Sequence, residues 1–168
     1  MRIINVKLFI FNMIVYILFL LPAGYLDLFH ENYSTLSLDT RGYFYLLFLG
    51  IITGTLLSYE TSLINTKRTG WLMFLSLFLG TLIPHHVPYD LQGNLHLLFA
   101  YGGFVIMMVI TYMNIYRIYD QNLLNIYYFI IFICAILYIR YGMVNTLCEI
   151  IIMTFTMIIN FILIEKKC

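Results

Sequence analysis

Residues 122–164 read NLLNIYYFIIFICAILYIRYGMVNTLCEIIIMTFTMIINFILI. The stretch is apolar almost throughout and about twice as long as the ~20 residues that cross a bilayer once. A single break divides it, at Arg140, Tyr141 and Gly142. Those residues fit a tight turn between two spans, 122–139 and 143–164. Hydrocarbon tolerates no unpaired backbone, so both spans are expected to be helices.

Working outward, four more segments qualify: 8–26, 42–60, 70–86 and 95–116. The expectation is an all-α polytopic membrane protein, one integral domain over residues 1–168 built as a six-transmembrane-helix bundle. Composition agrees. The chain is 62% hydrophobic and 10% charged, with mean hydropathy +0.92. A soluble domain is nearer half apolar and a quarter charged, and 168 residues enclose too little interior for so much apolar side chain. The first segment, preceded by Arg2 and Lys7, has no small-x-small cleavage pattern after it and reads as a retained helix. Its "LPAG" is followed by Tyr25, so it is no lipoprotein box.

Lysine and arginine set the orientation. With the N terminus inside, Arg2, Lys7, Lys67, Arg68, Arg117, Lys166 and Lys167 are cytoplasmic, and only Arg41 and Arg140 are outside. Both termini are then cytoplasmic; in a bacterium the membrane is the cytoplasmic (plasma) membrane. All four histidines, His30, His85, His86 and His96, fall on the outer side with Asp27, Glu31, Asp39 and Asp90. No basic run points to nucleic acid. Cys134, Cys148 and Cys168 show neither metal nor redox spacing. Phosphate-loop, nucleophile-elbow and zincin motifs are absent from the sequence.

Glu149 is expected about 10 Å below the outer end of the last helix, at 1.5 Å per residue. A charge within the membrane is costly and has to be paired, protonated or wet. Asn145, Glu149, Thr156 and Asn160 recur at helical spacing on one face. That stripe reads either as a packing seam held by hydrogen bonds or as the wall of a polar cavity. In the second reading His96 is a general base and Glu149 orients it, with Asp39 beside them as a third catalytic candidate. Arg140 would hold an anionic headgroup, with Ser37 and Asn145 as further substrate contacts. His86, Asp90 and His96 could instead supply three ligands of a zinc site; otherwise the residues require no cofactor. Gly50-xxx-Gly54-xxx-Ser58, Gly80 and Gly102-Gly103 read as close helix contacts, and the 15 tyrosines and Trp71 mostly as interfacial belts.

Three stretches carry a resemblance: YSTLSLDTRGYFYLLFLGIITGTLL (33–57), FLGTLIPHHVPYDLQGNLHLLFAYGGFVIMMVITYM (78–113) and GMVNTLCEIIIMTFTMIINFIL (142–163). Their order is similar to the six-helix FRAG/DRAM/Sfk superfamily of membrane proteins and its prokaryotic relatives. That family pairs a Ser-Asp in the first outer loop with a histidine opening the fourth helix and a glutamate in the sixth. The matching positions are Ser37 and Asp39, His96, and Glu149; here Leu38 separates serine from aspartate, and Ile150 stands where an aromatic often follows the glutamate. The resemblance implies lipid handling at the outer or luminal leaflet, since family branches act in lipid remodelling of GPI anchors, in autophagy and in plasma-membrane lipid regulation. The expected function is therefore lipid modification or lipid binding, with membrane lipids, and other membrane proteins, as partners. A small transporter or its substrate-binding subunit, and a non-catalytic assembly partner, are the alternatives; whether the chain is an enzyme stays open.

Overall fold

The computed structural model describes residues 3–85 and 91–167. Among them are six α-helices and no strand: α1 (Ile3–Leu20), α2 (Thr40–Ile64), α3 (Lys67–Leu82), α4 (Leu91–Ile118), α5 (Gln121–Tyr141) and α6 (Thr146–Lys167). Five segments, Val6–Gly24, Thr40–Ile64, Leu91–Ile118, Gln121–Tyr141 and Thr146–Lys167, are long and apolar enough to cross a membrane. With 16 residues, α3 is shorter than these.

Helix limits follow from local chemistry. α1 stops at Leu20, short of the expected 26, because Pro22 turns the chain into a 3-10 segment, Leu21–Gly24. The carbonyls at its end are not left bare. Leu18 accepts from the Tyr45 hydroxyl at 2.6 Å and Phe19 from Tyr33 at 2.5 Å. Asp39 caps α2 by accepting from the backbone of Arg41 and Gly42 at 3.1 and 3.3 Å, the usual work of an N-cap carboxylate. Thr66 caps α3 and Asp120 caps α5 in the same way. α2 runs on to Ile64, four residues past the expected limit. The break read at 140–142 is where the chain turns: Gly142 has φ +73° and returns its N–H to Tyr138 at 2.8 Å. Glycine takes that left-handed conformation without cost.

α6 is the central helix. It packs on α1, α2, α4 and α5, and half of its apolar window is buried, against 17% for α5. α2, α3 and α4 form a tight layer beside it. The closest approach to a backbone within it is at Gly103, where a Cβ would lie 2.1 Å from the Ser76 carbonyl oxygen. Gly102 was expected to pack as well, but it faces open space. The outward surface carries many large apolar side chains, such as Phe44, Trp71, Phe129 and Ile139.

The two ends of the bundle are fastened differently. At the end bearing Glu149, the chain between α1 and α2 folds over the start of α6, whose Thr146 and Leu147 N–H groups donate to the carbonyls of Glu31 (2.7 Å) and Leu28 (3.0 Å). At the opposite end cations close the structure. Lys166 pairs with Asp120, Arg117 bonds Asn65, and Lys167 donates to the last carbonyls of α2, Leu63 and Ile64, at 2.7 and 3.1 Å.

Candidate functional site

A cavity of about 130 Å³ opens at the Glu149 end, between α2, α3, α4, α6 and the 3-10 turn Tyr33–Leu38. Its wall is mostly apolar, with Phe19, Leu46, Leu49, Phe104, Met107 and Met153. Gly50, Gly80 and Ala100 leave the space by withholding side-chain volume. Polar groups interrupt the wall at Tyr33, Ser34, Thr53, Ser76, Thr81 and Glu149. An apolar cavity of about 150 Å³ holds a benzene-sized molecule, so this one admits a short chain segment or a small ring.

Glu149 lies in the first turn of α6 and accepts from the Tyr33 backbone N–H at 2.8 Å. It is shallower than expected, about 4.5 Å below the helix start, because α6 begins at Thr146 rather than 143. The positive end of the helix dipole favours a carboxylate there. Tyr33 is itself fixed: its ring stacks on Phe19 at 4.5 Å, and its phenol donates to the Phe19 carbonyl. Burial first, and then the Glu149 charge, push that phenol above its ordinary 10.0, so it remains a donor. Ser76 and Thr81 bond the carbonyls of Met73 and Phe78 in their own helix. The Thr53 hydroxyl differs: it is buried on the cavity wall with no hydrogen-bond partner among the described residues.

Among the other expected site residues, His96, Ser37, Asp39 and Asn145 are fasteners in this geometry. His96 is 1% exposed and donates from Nδ1 to the Ile83 carbonyl at 2.5 Å, satisfying the end of α3. Its ring meets His85 edge-on at 5.3 Å. Ser37 donates to Ser34 at 2.7 Å and accepts from the His85 N–H at 2.6 Å. Asp39 is the exposed cap of α2, and Arg140 is exposed on the last turn of α5. Asn145 caps α6, accepting from Cys148 N–H at 3.0 Å and donating to the Phe29 carbonyl at 3.3 Å. No His96–Glu149 hydrogen bond exists among the described residues; each group has its own partner. His86 and Asp90 lie outside the described residues, and those described contain no cluster of three His, Cys, Asp or Glu fit for a metal.

The stripe on α6 is real but divided. Asn145, Thr156 and Asn160 are all buried. Asn145 caps, Glu149 faces the cavity, and Asn160 belongs to a separate polar cluster deeper in the bundle. Reading the sequence missed Tyr33, Ser34 and Thr53. Thr53 had a usable signal, lying three residues after Gly50 on the same helical face.

Compared with family models, with curated proteins and with solved structures, the chain matches none.

Proposed function

We propose that the protein is an integral membrane protein that binds a lipid-like amphiphile at the outer leaflet. The observation that carries this reading is the cavity itself, an apolar recess with one carboxylate, Glu149, and a buried hydroxyl, Thr53, that no described group bonds, in its wall. Apolar pockets with a few placed polar groups are the usual form of a small-ligand site. The first methylenes or a ring of the ligand fill the recess. A donor-bearing head, an amine or hydroxyl, meets Glu149. The cavity holds a segment of a lipid rather than a whole one, so the remainder stays in the bilayer. Six crossings with both termini cytoplasmic put this end outside, because seven of the nine Lys and Arg residues then fall inside. The resemblance to the FRAG/DRAM/Sfk proteins supports the same leaflet.

The test is direct. Delipidated protein in detergent is titrated with a short-chain phosphatidylethanolamine and followed by native mass spectrometry. Wild type retains the lipid. Glu149→Gln, which keeps the shape and removes the charge, binds about tenfold more weakly, the worth of one charge-assisted hydrogen bond. Thr53→Val also weakens binding, while stability is unchanged or rises by about 1 kcal/mol, because an unsatisfied buried hydroxyl is removed. Equal retention by all three proteins sinks the reading.

A further inference from the structure

A second carboxylate lies in the opposite half of the bundle. Glu60, four residues before the end of α2, is fully shielded from solvent. Asn12 of α1 donates to its Oε1 at 2.6 Å. The Asn160 amide of α6 lies beside the same carboxylate. Asn160 Oδ1 accepts from Asn114 of α4 at 3.2 Å, and Asn114 also donates to Thr61 Oγ1 at 3.4 Å. Four helices thus meet in one polar cluster, about 16 Å along α6 from Glu149 at 1.5 Å per residue.

Counting donors and acceptors shows what the cluster lacks. Asn12 uses both amide hydrogens, one on Glu60 and one on the Leu8 carbonyl at 3.1 Å. Turning that amide over would set its oxygen against two other oxygens. Among the described residues Asn12 Oδ1 is therefore left with no donor, and Glu60 Oε2 and Asn114 Oδ1 have none within hydrogen-bond geometry. The Asn160 Nδ2, outside hydrogen-bond geometry with any described acceptor, stands beside Glu60 as its one further donor. Of the cations at this end, Lys166 is on Asp120, Lys167 on the α2 carbonyls and Arg117 on Asn65, and Lys7, Lys67 and Arg68 are exposed rather than buried with Glu60.

A seam between spans is ordinarily glued by neutral Asn, Ser and Thr, and three asparagines with a threonine would make one without a glutamate. An ionised carboxylate buried in this way is strongly unfavourable unless positive charge meets it. Unmatched oxygens on three helices, in one cluster with a carboxylate, suit a hard cation. A single carboxylate balances a single positive charge; a divalent ion would leave net charge buried.

We propose that Glu60, Asn12 and Asn114 form an intramembrane site for a monovalent alkali cation, Na⁺ or K⁺. Asn160 and Thr61 orient the donor side chains. The site shares no residue with the amphiphile cavity and does not depend on it.

The experiment is thermal unfolding of the full chain in detergent, in NaCl, KCl or choline chloride at one ionic strength and pH. A ligand that binds the folded state raises its unfolding temperature with concentration. Wild type is expected to show a saturable rise of several degrees in NaCl or KCl over choline. Glu60→Gln abolishes that dependence, and Glu149→Gln keeps it, so the two sites fail or stand separately. Should Glu60→Gln not fold, Asn114→Ala removes one donor oxygen and moves the half-saturating concentration up by about tenfold. Identical unfolding temperatures in all three salts overturn the site and leave the cluster as a hydrogen-bonded seam. A cation dependence unchanged by Glu60→Gln overturns it equally.

Discussion

His96 shows how one side chain can suit two roles and be placed for only one. In sequence it opens a helix near a glutamate, which suits a proton carrier. In the structure its Nδ1 hydrogen goes to the Ile83 carbonyl, so the tautomer is set and that nitrogen is committed. α3 cannot continue past Pro84, and its final carbonyls need donors. The Tyr43 hydroxyl supplies one for Leu82 at 2.8 Å, and His96 supplies the other. His96→Ala should therefore lower stability by about 2 kcal/mol, combining an unpaired carbonyl with a void. His96→Asn, whose amide nitrogen can stand near the position of Nδ1, should recover most of that loss. Unfolding temperatures of the three proteins decide the matter. Amphiphile binding should survive in His96→Asn, since His96 is not part of the cavity wall. A variant that is fully stable yet binds nothing would return His96 to the site.

At the scale of elements, α2 explains both what could be read in advance and what was missed. Gly50, Thr53, Gly54, Leu57, Glu60, Thr61 and Ile64 are all buried and recur every three or four residues. The glycine end of that stripe was readable, because small residues at this spacing have a packing meaning. Glu60 was hidden by a boundary. A span ended at 60 leaves the glutamate in the headgroups, where a charge needs no explanation; a helix running to Ile64 places it about one turn inside. Tyr33 and Ser34 could not be found by periodicity at all, since they reach the cavity from a connection folded back on α6. The same connection consumed Asn145 and Ser37 as fasteners. The α3–α4 contact gives a paired prediction. Gly103→Ala sets a methyl 2.1 Å from a backbone oxygen of α3 that cannot swing aside. It should cost about 1–3 kcal/mol. Gly102→Ala meets open space and should be neutral, or stabilising by up to ~1 kcal/mol through helix propensity. Comparing the unfolding temperatures of the two neighbours tests the packing with composition held constant. Equal effects would mean that α3 and α4 are not so close.

For the whole molecule, the number of crossings depends on α3. Its 16 residues rise about 24 Å, less than the ~30 Å of a hydrocarbon core. Yet it is flanked by α2 and α4 along a tight layer, and a short span is accommodated by local thinning of the bilayer at modest cost. Charge favours six crossings. If α3 did not cross, Arg117, Lys166 and Lys167 would move to the outer side and Arg140 to the inner, and the cytoplasmic excess would fall from seven against two to five against four. Two exposed tyrosines separate the cases: Tyr25, 90% exposed after α1, and Tyr119, 81% exposed between α4 and α5. Each is changed to cysteine in a Cys168→Ser background, where the remaining Cys134 and Cys148 are buried. Right-side-out vesicles are then treated with a membrane-impermeant maleimide. Six crossings predict that Tyr25→Cys is labelled at once and Tyr119→Cys only after permeabilisation. Labelling of both from outside means that α3 does not cross, so α4 to α6 are inverted and Glu149 no longer shares a leaflet with Tyr33. The hydrogen bond between them makes that outcome incompatible with the bundle, so the labelling pattern tests the topology and the cavity together.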